Sequence, residues 1–316
     1  MLRFALRRLV STAALLFAIS ILTFLIFFAF PSSNPALRLA GRTATPAQIA
    51  SVSKEWGFDK PIYVQYLKTM EKVFDGTVIS YTTAINVDHQ IWSDLQPTVS
   101  LAVGAGIIWF LFGVLFGVLS ALRAGRWLDR LLTIFSMIGV STPVFFLGAV
   151  LLFYLGFTFG IFPNGDYVPI QQNPIQWLYH MLLPWFTLSV LFIGVYSRVL
   201  RSTILDMMGD DFVRTARAKG LSERQVLIRH VLRNSLIPII SLWGLDFASI
   251  IGGGAILTES VFNLQGVGQY AAQSIQNLDI PPVLVITMFG AFFVVLLGAI
   301  VDVVHAALDP RVRLTA

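Results

Sequence analysis

Six stretches of this 316-residue chain are long and apolar enough to cross a bilayer, and that limits its possible folds more than any other feature. They run Leu9–Phe30, Pro97–Leu122, Leu131–Gly165, Tyr167–Ser197, Asn234–Thr258 and Ile280–Val301, and only the fifth is interrupted by a charge, at Asp246. A span needs about 20 mostly apolar residues, and a helix satisfies its own backbone where no water is available. Hydrophobic residues make up 56% of the chain and charged residues 12%, which excludes an ordinary soluble domain. The expected fold class is therefore an all-α membrane protein with six transmembrane helices. Pro163-Asn164-Gly165 is expected to turn the overlong third run out of the bilayer. The first run lacks a small-residue cleavage site and reads as an uncleaved span.

Basic residues set the orientation. Arg3, Arg7 and Arg8 precede the first span, and Arg123, Arg126 and Arg130 separate the second from the third. A further group from Arg198 to Arg233 lies between the fourth and fifth spans, and Arg311 and Arg313 follow the sixth. The short loops 163–176 and 259–279 hold no Lys or Arg. The positive-inside rule puts both termini (1–8 and 306–316) and the segment 201–235 in the cytoplasm. Residues 31–96 then form an external insertion, and 97–305 hold spans two to six. The net charge of +5 follows from this orientation and gives no reason to expect a nucleic-acid partner.

Within the insertion, Thr45-Pro46 reads as an N-cap with proline at the first helical position. Lys60-Pro61 opens a second helix that Asp75-Gly76 ends, and the whole is too small to fold without the membrane core. In the segment between spans four and five, Asp211 is expected to cap a helix running to Lys219, with Gly220 in the left-handed position that closes it. Ser222 and Gln225 form a capping-box pattern for the next helix. There Leu227, Ile228, Val231 and Leu232 are expected on one face, and Arg229, His230 and Arg233 on the other. Such an element suits a lipid surface, a pore gate or a soluble partner. The small residues Ala216, Ala218 and Gly220 favour close approach of another protein.

Reaction chemistry is scarce. No GxxxxGK[ST] loop and no HExxH pattern occurs, and the four histidines are scattered, so no metal or cofactor is assigned to the chain. With no cysteine there is no disulfide. Ser141 in Gly139-Val-Ser-Thr-Pro143 lacks a base, and hydroxyls beside a mid-span proline usually satisfy the backbone that the kink frees. Asp246 is the one acid deep in a span and costs at least about 2.5 kcal/mol if it faces lipid. It lines an aqueous pathway, with Ser141, Thr142 and Ser249 as the other candidates, or it pairs with a neighbouring helix. A proton-coupled transporter carrying its proton on Asp246 and an intramembrane hydrolase are the alternatives from other classes.

Several longer motifs occur in order. They are Gly57-Phe-Asp-Lys-Pro-Ile-Tyr-Val-Gln-Tyr-Leu67, Ser141-Thr-Pro-Val-Phe-Phe146, Leu183-Pro-Trp-Phe-Thr-Leu188, Arg214-Thr-Ala-Arg-Ala-Lys-Gly-Leu-Ser222 and Arg229-His-Val-Leu-Arg-Asn-Ser-Leu-Ile-Pro238. Glu259-Ser-Val-Phe-Asn-Leu-Gln-Gly-Val-Gly268 and Leu308-Asp-Pro-Arg-Val-Arg313 follow. With them the chain resembles the first permease subunit of the dipeptide/oligopeptide class of bacterial ABC importers, a class that includes nickel importers. The resemblance implies a type I importer permease fold in the bacterial cytoplasmic membrane, with alternating access as the mechanism. It implies a second permease, two ATPase subunits carrying ATP and Mg, an external solute-binding protein and a peptide substrate; nickel chelates are the alternative cargo. It assigns ATPase docking to Arg214, Thr215, Ala216, Arg217, Ala218, Lys219, Gly220, Leu221, Ser222, Glu223, Leu227 and Val231. The chain departs from the family where Arg214-Thr215-Ala216 replaces Glu-Ala-Ala, where Arg233 replaces a common proline, and at Asp246, where an uncharged polar residue is usual.

Overall fold

The computed structural model describes residues 2–29, 34–40 and 44–308. In chain order its helices are α1 (Leu2–Phe24), α2 (Pro35–Ala40), α3 (Pro46–Trp56), α4 (Ile62–Phe74) and α5 (Val87–Leu122). There follow α6 (Trp127–Ser141), α7 (Val144–Leu151), α8 (Pro174–Met208), α9 (Asp211–Ala218) and α10 (Glu223–Gln225). The last four are α11 (Arg233–Ser249), α12 (Ile256–Phe262), α13 (Val267–Gln276) and α14 (Ile280–Leu308). π-helical turns extend α1 (Leu25–Ala29), α7 (Leu152–Thr158), α10 (Val226–Leu232) and α11 (Ile250–Gly254). Among the described residues the only β-pairing is an isolated bridge between Ile79 and Asn86.

Among the described residues five helices are long and apolar enough to cross a membrane, and six spans result if α6 and the α7 segment, bent by 98°, count as one. The third run therefore breaks at its middle. Thr142 is extended (φ −88°, ψ 123°), the conformation that a following proline imposes. Other boundaries also differ from the uncharged runs. The second span's helix starts at Val87, so Pro97 lies inside it together with Asp88 and Asp94. The fourth starts at Pro174, where Asn173 Oδ1 accepts from the N–H groups of Ile175 and Gln176, each at 3.1 Å. The fifth is interrupted at Gly253, whose φ of 101° no helix can hold.

The chain divides into two compact units, one of residues up to Val99 with Ala248–Ala299, the other of Ser100–Phe247 with the chain from Ile300. In the first, the insertion shares a core with α1 and α14: Phe28, Leu39, Trp56, Val87 and Leu284 belong to one buried cluster. Each such side chain contributes about 1.5–3 kcal/mol on burial, which binds the insertion to the membrane helices. The expected punctuation is present. Thr45 N–H donates to Gln48 Oε1 at 2.7 Å, and Gly57 and Gly76, at φ 72° and 65°, end α3 and α4. Asp279 ties down the loop after α4, accepting from the Ser80 hydroxyl and from Tyr81 and Thr82 N–H.

In the second unit, small residues let helices touch. A Cβ at Gly139 of α6 would stand 2.8 Å from Val190 O of α8, and one at Gly194 would stand 2.6 Å from Ser136 O. The Ser136 and Ser197 hydroxyls share a hydrogen bond of 2.8 Å at this contact. On α5, Gly113 and Gly117 lie against Tyr196 and Leu200 in the same way. Close backbone approach through small residues is how helices associate where lipid removes the hydrophobic drive.

Candidate functional site: the segment from α8 to α11

α8 ends at Gly209, and α9 follows with Asp210 in the cap position. The cap is one residue earlier than expected, and neither Asp210 nor Asp211 closes the helix with a side-chain cap bond. Instead Asp211 lies in the first turn and pairs with Arg214 at 3.4 Å. The end of α9 matches expectation. Gly220 has φ 80°, its N–H donates to Arg217 O at 2.9 Å, and Leu221 N–H reaches Ala216 O at 3.4 Å. These two bonds make a Schellman closure, which needs a residue at ease in the left-handed region. Ser222 then opens α10, its N–H donating to Gln225 Oε1 at 3.1 Å.

A fork between Arg217 and Glu223 spans the turn, Nε to Oε1 at 2.8 Å and Nη2 to Oε2 at 3.1 Å. The guanidinium beside it lowers the Glu223 carboxyl's affinity for a proton only through solvent-exposed contacts, so the fork fixes direction more than it adds stability.

The faces of this segment differ from the α-helical expectation. Val226 and Val231 are buried, while Ile228 is 51% exposed and Leu227 half-buried. The cause is the π-turn Val226–Leu232, whose i→i+5 bonding brings residues five apart onto one side. Val213 and Ala216 of α9 are buried too. Ala216 and Val231 are thus spent on the chain's own packing and are not available to a partner. Arg214, Thr215, Arg217, Ala218, Lys219, Gly220, Ser222 and Glu223 are exposed, Leu221 is half-buried, and Phe212 and Ile228 add apolar surface.

The base of this segment is held by a residue that sequence reasoning missed. Asp129 of α6 accepts from Arg201 of α8 through a two-bond fork, from the Ser120 hydroxyl, and from Gly125 N–H at 2.8 Å. It is 4% exposed. The available signal was a single acid within the otherwise basic Arg123–Arg130 stretch.

Of the pathway candidates, Asp246 is half-buried and accepts from the Tyr196 hydroxyl of α8 at 2.7 Å. Aromatic rings surround that bond: Trp109 stacks on Phe192 at 4.5 Å, and Trp243 on Phe247 at 5.0 Å. Ser249, three residues on, is exposed. Ser141 is exposed at the break after α6, and the Thr142 hydroxyl returns to Ile138 O at 2.8 Å, a carbonyl that also accepts from Thr142 N–H at 3.0 Å. No hydrogen bond joins Ser141 or Thr142 to Asp246 among the described residues.

Residues 113–314 match the sequence model of the family described as binding-protein-dependent transport system inner membrane component, and residues 1–102 match its N-terminal companion. The chain belongs to this permease family. The permease is 37% identical over 311 residues (98% of this chain, 99% of the relative) to a probable peptide ABC transporter permease protein of Sinorhizobium fredii. It is 33% identical over 314 residues (99% of each) to a glutathione transport system permease protein of Salmonella typhimurium. A probable D,D-dipeptide transport system permease protein of Escherichia coli is 32% identical, covering 93% of this chain and 92% of the relative. Among solved structures, the inward-facing MetNI methionine ABC transporter matches with a TM-score of 0.52 at 17% identity, over 69% of this chain and 96% of that one. That likeness concerns the fold alone. The permease is the membrane component of an ATP-driven importer; the family implies a partner ATPase, which hydrolyses the ATP, and a substrate-binding protein.

Proposed function

We propose that this permease forms half of the pathway of an importer of short peptides and that α9, the Gly220 turn and α10 with its π-turn dock on an ATPase subunit. The observation that carries the docking reading is an exposed surface built around a rigid turn. Ile228 and Phe212 are apolar and solvent-facing, and Arg214, Lys219 and Arg224 surround them. A monomer gains nothing from exposing these apolar side chains beside a doubly fixed turn, whereas a groove on a soluble partner would cover them. The curated relatives named for peptides, glutathione and D,D-dipeptides support peptide over nickel chelate as cargo.

In this reading both termini and the docking segment are cytoplasmic, and the insertion faces outward. A membrane-impermeant maleimide should then label Tyr63→Cys and Arg224→Cys from opposite sides, and labelling of both from one side would reverse the orientation. Ile228→Glu tests docking itself. Ile228 packs little within its own chain, so folding should be kept while ATPase co-purification and uptake of radiolabelled trialanine fall together. Full ATPase retention in this variant would move the docking site elsewhere.

A further inference from the structure

A polar cavity of about 250 Å³ lies between the start of α5 and the α12–α13 region, in the first compact unit. Its walls include Gln90, Asp94, Gln265, Gln269, Tyr270 and Gln273. We propose that this cavity binds the free α-ammonium group and first amide of a short peptide. The proposal rests on the peptide reading above and adds a place on the permease where the cargo is recognised.

Charge is the first argument. Asp94 is only 8% exposed, and no Lys, Arg or His pairs with it among the described residues. Gln90 Nε2 and Ser93 Oγ both donate to its Oδ1, at 2.8 and 3.0 Å, and among the described residues no hydrogen bond reaches Oδ2. A second acid, Glu259, is buried nearby: Thr98 Oγ1 donates to its Oε1 at 2.7 Å and lies 3.3 Å from the backbone carbonyl of Asp94. A buried carboxylate without a counter-charge is unfavourable, and a ligand cation relieves it.

The rest of the wall decides which cation. Side-chain amides offer donors and acceptors side by side, the pattern that a peptide group complements. One of them is held in place: Gln269 Oε1 accepts from Gln265 N–H at 2.7 Å, and its Nε2 donates to Asn263 Oδ1 at 2.9 Å. Gln265 keeps φ 56° to hold this arrangement. The Tyr270 hydroxyl is buried and has no hydrogen-bond partner among the described residues, which leaves it for a ligand carbonyl. A metal ion fits poorly, because no group of three or more metal-binding side chains occurs among the described residues.

The test uses the cysteine-free permease assembled with its partners in proteoliposomes. Gln273 is exposed at the rim, and Gln273→Cys gives a single thiol for maleimide labelling. Trialanine should slow labelling about tenfold, and N-acetyl-trialanine, which lacks the ammonium, should not. Tyr270→Phe breaks no internal hydrogen bond and should raise the half-protecting concentration about fivefold, whereas Asp94→Asn should abolish protection. Equal protection by both peptides, or by neither, overturns the proposal. Uptake of labelled trialanine is read in parallel. Import without protection leaves the peptide-importer reading standing and removes this site; protection without import does the reverse.

Discussion

Arg201 grips Asp129 with two parallel hydrogen bonds, Nε to Oδ1 at 2.7 Å and Nη2 to Oδ2 at 2.8 Å. The aspartate is almost fully covered and the arginine about two-thirds covered, so each would be left uncompensated without the other. Asp129→Leu should cost about 3 kcal/mol, because it strands the guanidinium as well as Ser120 and the Gly125 N–H. Arg201→Lys keeps the charge and loses the fork, for about 1 kcal/mol. Thermal unfolding of the two purified variants checks the order; equal midpoints would show that the fork is dispensable.

At Gly220 a Cβ would meet nothing within 4 Å, so any penalty for substitution is conformational. Gly220→Asn, which tolerates positive φ, should keep ATPase binding. Gly220→Val should lose about 1–2 kcal/mol of local order and weaken ATPase co-purification about tenfold. Ser222→Ala removes only the cap and should give a partial defect of about 1 kcal/mol. Identical ATPase recovery from the Asn and Val variants would separate docking from the direction of this turn.

Glu259 is 0% exposed, and burial raises its carboxyl from the ordinary 4.5 to about 7. Hydrogen bonds from Thr98 Oγ1 at 2.7 Å and Gln269 N–H at 2.9 Å oppose that rise without cancelling it. Below about 4.5 both folded and unfolded chains hold the proton. Between 4.5 and 7 the unfolded chain releases it while the folded chain keeps it, so stability falls as pH rises and levels off above 7. The loss should be at most about 3 kcal/mol. Glu259→Gln copies the protonated acid and should flatten this part of the pH profile of the unfolding midpoint. A profile unchanged by the substitution would show that the group ionises as in water.

Asp246 and Tyr196 meet at 2.7 Å between α11 and α8. Asp246→Asn leaves Tyr196 an acceptor and should keep the fold to within about 1 kcal/mol while altering the rate or range of uptake. Normal uptake by Asp246→Leu would reduce the acid to a structural partner of Tyr196.

Local punctuation was legible in the sequence. Thr45, Gly76, Gly220 and Ser222 behave as their side chains dictate, because caps and left-handed turns depend on near neighbours. Charge-free runs gave the number of spans but misplaced their ends. α5 includes Asp88 and Asp94, since those acids find partners or cover at the membrane margin instead of ending the helix. Glu259 lies just beyond the fifth charge-free run and is buried, because Gly266 and Gly268 leave room for its carboxylate against the start of α13. Only the folded chain brings these residues together with Thr98, 161 positions away from Glu259. The buried side of the segment between α8 and α11 was misread for another reason: a period of 3.6 was applied where the chain makes a π-turn.

That turn makes the segment between α8 and α11 sensitive to length in a way that composition does not reveal. A π-turn is an α-helix carrying one extra residue per bonded loop. Removing any single residue between Val226 and Val231 would let the helix close normally and turn everything before it by about 100° relative to α11. Val226 would leave its buried seat, and the Gly220 turn would face another way. The direction in which the exposed face points is therefore set by the spacing from Gly220 to Ser235 as well as by the side chains that it carries.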